Sequence, residues 1–190
     1  LAQAVAKAFA WEPPMRFNDT TRTYFERLTQ VSTPEEAARY RALFDKNKSA
    51  DVQRYFLRNE PQHYSILRTS VVPTILRAGF RSNVIPSDAT ATLDIRALPD
   101  EDMPKFLEQL KRVINDPAVE IQPSQSSLRP ASPPSRLDSE MFKAIERVSK
   151  RMFPTAVVVP SMLTGATDMA QLRGKGVQCY GLGPIFDERD

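Results

Sequence analysis

Apolar positions recur at helical spacing from the start of the chain. Leu1, Ala2, Val5, Ala8 and Phe9 fall on one face of a helix that Pro13-Pro14 must close. Asp19 to Leu28 predicts a second short helix with Tyr24, Phe25 and Leu28 as its apolar positions. The next start is sharper. Thr33 suits an N-cap, Pro34 the first helical position, and Glu36 completes a capping box. That helix is expected to bury Ala37, Tyr40, Leu43 and Phe44, and Ser49 to cap a further one carrying Val52, Tyr55 and Phe56. Residues 18–60 therefore read as a helical elaboration rather than a linker.

The period then shortens to two. Ser70 to Arg77 is rich in β-branched residues and predicts a strand, with Pro73 restricting it to an edge or a bulge. Gly79 and Asn83-Val84-Ile85-Pro86 mark a turn. Asp88 to Ala97 alternates strictly: Ala89, Ala91, Leu93, Ile95 and Ala97 on one face, Asp88, Thr90, Thr92, Asp94 and Arg96 on the other. Pro99-Asp100-Glu101-Asp102 places acidic groups ahead of a helix that carries Met103, Phe106, Leu107, Leu110, Val113 and Ile114 on one face. Asn115-Asp116-Pro117 stops it, and Val119 to Ile121 predicts a short strand.

Pro123 to Pro134 has little periodicity and reads as a crossover between domains. Ser135 and Asp138 open a helix with Met141, Phe142, Ile145, Val148 and Met152 inward. Ala156 to Val159 predicts a short buried strand, Asp168 to Arg173 a helical turn ended by Gly174 or Gly176, and Val177 to Tyr180 another strand. These last α/β pieces are too small for a stable domain and call for a sheet supplied by other residues.

Composition narrows the classes. A length of 190 residues suits one large domain or two small ones, and 41% hydrophobic against 26% charged residues allows a core with a soluble surface. The net charge of +3 is spread among mixed signs, without an aromatic-interleaved basic stripe, so no nucleic-acid partner is expected. Lys150-Arg151 suits a helix C-terminus. No run is long and apolar enough to span a membrane, and no membrane partner is expected; a cytoplasmic or exported location stays open. Cys179, the single cysteine, excludes an internal disulfide and reads as a core thiol without a partner base. Leu1 to Phe9 carries Lys7 and no cleavage pattern, so the chain is expected to begin inside a helix whose preceding segment lies elsewhere.

Three segments offer candidate chemistry. Asn83 precedes the best strand and Arg96 sits on its polar face, where a planar guanidinium suits a carboxylate; a turn Asn and a surface Arg paired with Asp94 is the plainer alternative. Thr164-Gly165-Ala166-Thr167-Asp168 joins a strand to a helix start, where backbone amides converge on an anion and Thr167 can donate a hydroxyl; Asp168 as an ordinary cap is the alternative. His63 has no partners at ligand spacing and reads as structural or exposed.

The block from Asn83 to Arg96 resembles the lid-domain signature of the M20 family of zinc amidohydrolases and peptidases. Thr164 to Asp168, followed by Gly176 and Tyr180-Gly181-Leu182-Gly183-Pro184, resembles its substrate-carboxylate loop, with Ala166 where many relatives carry glycine. Arg68-Thr69 after Leu67 is similar to the Leu-Arg-Thr segment of the carboxypeptidase S-like and N-acyl-amino-acid hydrolase branch, where Arg68 would border the pocket. The resemblance implies an α/β chain. Residues 1–122 would be an α+β, ferredoxin-like sandwich lid with the helical insertion at 18–60, lacking a strand before Leu1. Residues 123–190 would be the last, incomplete part of an α/β zinc-peptidase catalytic domain.

By the same resemblance the substrate-binding residues are Asn83, Arg96, Gly165, Thr167 and Arg68, with no catalytic or metal residue in the chain. The family's zinc-ligating His before an Asp-Glu-Arg run is missing ahead of Asp187-Glu188-Arg189. The implied activity is zinc-dependent cleavage of an amide next to a free carboxylate, in a peptide or an N-acyl amino acid. Two zinc ions are expected in the intact parent and none on this chain, which alone would be inactive; a homodimer through the lid is the implied assembly. A non-catalytic dimerisation module and a degenerate carboxylate binder are the alternatives.

Overall fold

The two alternating stretches pair with each other. β1 (Ser70–Ala78) runs antiparallel to β2 (Ala89–Arg96), from Ser70 opposite Arg96 to Ala78 opposite Ala89. The register shifts between Pro73 and Ile75, which is the bulge that a proline without an N–H requires. The computed structural model describes residues 1–123, 132–165 and 167–183, which also carry eight helices. They are α1 (Ala2–Ala10), α2 (Asp19–Leu28), α3 (Pro34–Ala42), α4 (Ser49–Asn59), α5 (Pro61–Ser65), α6 (Met103–Ile114), α7 (Glu140–Met152) and α8 (Met169–Arg173). The fold is mixed α+β.

The chain divides into two units, Leu1–Asn18 with Ala42–Arg129, and Asp19–Arg41 with Pro130–Asp190. In the first, α6 supplies Phe106, Leu110 and Ile114 to a core shared with Ala4, Ala8 and Val71, and Leu93 and Ile95 of β2 pack against it. Asp102 caps α6 by accepting from the Lys105 N–H at 3.2 Å, and Asn115 ends it in the left-handed region at φ 45°. The buried stripe of α1 differs from the expected one. Ala4 and Ala8 face the core and Trp11 packs on Phe106 at 5.0 Å between ring centroids, whereas Phe9 is 66% exposed. Small residues at the contact let α1 approach closely, so the bulky Phe9 falls outside.

In the second unit the Thr33–Glu36 capping box forms: the Thr33 N–H donates to the Glu36 carboxylate at 2.9 Å and the Glu36 N–H to Thr33 Oγ1 at 3.4 Å. Phe25 and Tyr40 pack at 5.6 Å. Arg27 of α2 reaches Glu146 of α7 at 2.6 Å and the Val158 carbonyl at 2.7 Å. Ser139 caps α7 through the Phe142 N–H. On α7 only Phe142 is buried, while Met141, Val148 and Met152, expected inward, are exposed.

Val119 to Ile121, Ala156 to Val159 and Val177 to Tyr180 are not strands. A ladder needs a neighbouring strand, and among the described residues β1 and β2 have only each other. Val177 is exposed rather than buried, and Cys179 is half-buried; Ser135 Oγ holds the segment by accepting from the Cys179 N–H at 2.9 Å and donating to its carbonyl at 2.7 Å. Most of the crossover at 123–134, Ala166 and the run from Pro184 through Phe186 to Asp190 lie outside the described residues.

Candidate functional site

Alternation in β2 sends Arg96 to the face away from the core, where its side chain is 54% exposed. One guanidinium nitrogen lies 3.2 Å from the Asp94 carboxylate, so the local pair expected as the plainer alternative is formed. The group is thus an exposed cation already in contact with one carboxylate two residues away on the same face. Asn83 is exposed in the turn beyond Ala78, which opens on Gly79 at φ 68°. The seven-residue step from Ala89 to Arg96 spans roughly 24 Å at strand rise, so the hairpin puts Asn83 and Arg96 at opposite ends.

Arg68 is placed differently, inside the first unit and 4% exposed. Its guanidinium stacks on Tyr64 at 3.8 Å, donates to Gln53 Oε1 at 2.6 Å and to the Pro13 carbonyl at 3.3 Å, and lies 3.9 Å from Glu12. Its Nε is buried without a partner. Burial pulls the Arg68 pKa below the usual guanidinium range, and burial raises that of Tyr64. His63, three residues from Glu60, meets that carboxylate through Nδ1 at 2.5 Å and packs on Phe56.

Gly165 and Thr167 belong to the second unit. Gly165 is exposed and Thr167 half-buried. Thr167 Oγ1 accepts from the Met169 N–H at 3.4 Å, and its carbonyl accepts from the Ala170 N–H at 3.1 Å, so the residue opens the short α8. Asp168 occupies the cap position without a side-chain cap bond. Two clefts, of about 310 Å³ beside Arg27 and Glu146 and about 390 Å³ beside the C-terminus of α6, are lined by none of the five candidates.

Polar contacts that sequence reading missed cluster where β1 begins. The Leu98 N–H donates to Thr69 Oγ1 at 3.1 Å, the Thr69 hydroxyl bonds the Glu101 carboxylate, and Arg16 bonds Glu101 at 3.0 Å and Asp100 at 3.3 Å. No local spacing announces contacts between residues so far apart in the chain. Among the described residues no group of three or more His, Cys, Asp or Glu side chains is placed to hold a metal ion, and no helix is long and apolar enough to cross a membrane.

The peptidase dimerisation domain of the M20 family matches residues 28–122. A probable carboxypeptidase S-like 2 of Dictyostelium discoideum is 30% identical over 169 residues, 88% of this chain and 31% of its own length. Human aminoacylase-1 is 28% identical over 174 residues, 85% of this chain and 42% of its own length. An N-fatty-acyl-amino acid synthase/hydrolase of Xenopus tropicalis is 30% identical over 131 residues, 68% of this chain and 25% of its own length. The chain thus spans well under half the length of these curated relatives. No solved structure matches it.

Proposed function

The chain belongs to the M20 peptidase-dimerisation family, and from that premise we propose that it is part of a zinc-dependent hydrolase cleaving an amide bond beside a free carboxylate. The chain supplies lid and carboxylate-binding groups. The observation that carries this reading is the family match over residues 28–122, which includes the Asn83–Arg96 block, with Arg96 an exposed guanidinium on the hairpin. A substrate carboxylate can take the place of Asp94 at that fork at little cost, because the exposed local pair is itself worth little. Gly165 and Thr167, in the second unit, offer backbone and hydroxyl donors at the start of α8, and Asn83, at the far end of the hairpin from Arg96, a side-chain amide; each is proposed as a carboxylate-binding group in its own right and not as part of one assembled site. Arg68 supports the pocket wall from within.

Residues 1–122 form the lid in this reading, a ferredoxin-like sandwich with the insertion at 18–60, and residues 123–190 the end of the catalytic domain. The substrate class is a small peptide or an N-acyl amino acid, in keeping with the names of the carboxypeptidase, aminoacylase and N-fatty-acyl-amino acid hydrolase relatives. The described residues offer no donor set for zinc. In this reading the two zinc ions belong to the intact parent, and no step of the chemistry is assigned to the described residues.

The test is hydrolysis of an N-acetyl amino acid by the full-length protein carrying Arg96→Ala or Thr167→Ala. Each is expected to raise KM about tenfold or more, the scale of one lost charge-assisted hydrogen bond. Unchanged kinetics in both variants removes the assignment.

A second reading, a non-catalytic module that dimerises or binds carboxylates, draws on the sheet, whose two strands each leave one edge without a strand partner among the described residues. A homodimer would pair such edges across a two-fold. Light scattering over a range of concentrations tests the pairing: a monomer mass throughout would end it.

A further inference from the structure

Arg96 is the last residue of β2 and stands opposite Ser70, the first residue of β1. The terminal pair of a two-stranded ladder is where fraying is easiest, and a recognition group placed there needs something beyond the ladder to hold it. The residues flanking this pair are fixed by a polar clasp that is buried at Thr69 and Leu98 and open to solvent at Arg16. Thr69 precedes Ser70 and is 1% exposed; Leu98, two residues past Arg96, is 4% exposed. The Leu98 N–H donates to Thr69 Oγ1, and the Thr69 hydroxyl in turn bonds Glu101. Glu101 turns back through its N–H to the Leu98 carbonyl at 3.0 Å and accepts from Arg16, whose own N–H donates to the Leu67 carbonyl at 2.8 Å. Both chain ends that carry the Ser70–Arg96 pair are thereby tied to one carboxylate.

We propose that Thr69 and Glu101 are positioning residues that fix the Arg96 guanidinium for a substrate carboxylate; the inference rests on the carboxylate-binding reading of Arg96. The clasp serves stability as well as orientation, because removing the Thr69 hydroxyl would leave the buried Leu98 N–H without its acceptor. The hydroxyl at 69, just ahead of β1, accepts from Leu98 and donates to Glu101, both in the segment that leaves β2, and so ties the start of one strand to the exit of the other. The clasp acts on the backbone just past Arg96 and on the strand start opposite it.

The experiment compares, in the full-length protein, hydrolysis of an N-acetyl amino acid with that of its carboxamide, which lacks the charge. Thr69→Val keeps the shape and removes the hydroxyl. It is expected to cut the preference for the acid about tenfold, chiefly through KM, because a misplaced clamp loses recognition more than chemistry. Thr69→Ser is expected to keep the preference, and Thr69→Val added to Arg96→Ala to change it no further than Arg96→Ala alone. Should Thr69→Val fail to fold, Glu101→Gln, which keeps an acceptor but removes the charge, is expected to cut the preference about threefold. A preference lost in Arg96→Ala but retained in Thr69→Val and Glu101→Gln, or both substrates slowed equally, overturns the clasp alone. A preference unchanged in Arg96→Ala removes the carboxylate reading, and the clasp's role falls with it.

Discussion

Replacing Arg68 by Met distinguishes a structural cation from a ligand-binding one, and the expected size follows from its surroundings. The guanidinium makes one short bond to Gln53 at 2.6 Å and one long bond to the Pro13 carbonyl at 3.3 Å. Hydrogen bonds from a charged donor contribute about 1.5–3 kcal/mol each, the long one at the lower end. Stacking on Tyr64 at 3.8 Å adds about 1–2 kcal/mol for a desolvated pair. The favourable side therefore sums to roughly 5 kcal/mol. Against it stands the desolvation of the cation, which several kcal/mol describes in general, aggravated here by the unpartnered buried Nε. Met fills the volume of the stem and restores its packing. The net loss should be about 2 kcal/mol. Trp11 is the single tryptophan and packs on Phe106 in the same unit, so its fluorescence during urea unfolding reads that unit without interference. Arg54→Met is the control: Arg54 is 65% exposed beside Asp51, and its loss should stay within about 0.5 kcal/mol. If Arg68→Met matches that control, the cage does not stabilise the fold and the accounting above is wrong.

Leu110→Ala empties a position that is 0% exposed on α6 and should cost about 3 kcal/mol, read by the same Trp11 fluorescence. In the second unit, Thr33→Ala removes the hydroxyl that accepts from the Glu36 N–H and bonds the Glu36 carboxylate, leaving only the backbone bond of the capping box, and should cost about 1 kcal/mol, seen as faster amide exchange across α3. Lys105 holds the Asp102 carboxyl below its usual range through their hydrogen bond. Because the folded value is the lower one, the cap's charge contribution is complete above the ordinary carboxylate pKa of about 4 and is lost as pH falls through the lowered value. Wild type should therefore exceed Asp102→Asn in stability at neutral pH, with the gap closing below about pH 4; a gap that persists at pH 2 contradicts the pairing.

Elements whose signals are local were legible. Thr33-Pro34 with Glu36 places the start of α3, Asn115 the end of α6, and strict alternation the faces of β2, because each depends on residues a few positions apart. Pro73 announced its bulge for the same reason. What failed was whatever depends on a distant surface. Periodicity makes Met141, Val148 and Met152 one stripe of α7, but it names only the apolar face and not what covers it, and the stripe is exposed. Likewise, three short apolar runs carry strand composition, yet composition does not provide a ladder partner.

The candidate site divides along the same line. Alternation alone puts Arg96 on the polar face, so its exposure and its pairing with Asp94 were open to a local reading. Arg68 was not, since an arginine is ordinarily exposed and its burial depends on Pro13, Gln53 and Tyr64 meeting around it. Thr69 is the sharper case. Its neighbour in the chain suggested recognition, but its hydroxyl is committed to Leu98 and Glu101, contacts that no local pattern announces. The exposure of Arg96 is written in a two-residue period, whereas the polar clasp exists only after the turn at Leu98–Glu101 has folded back on Thr69.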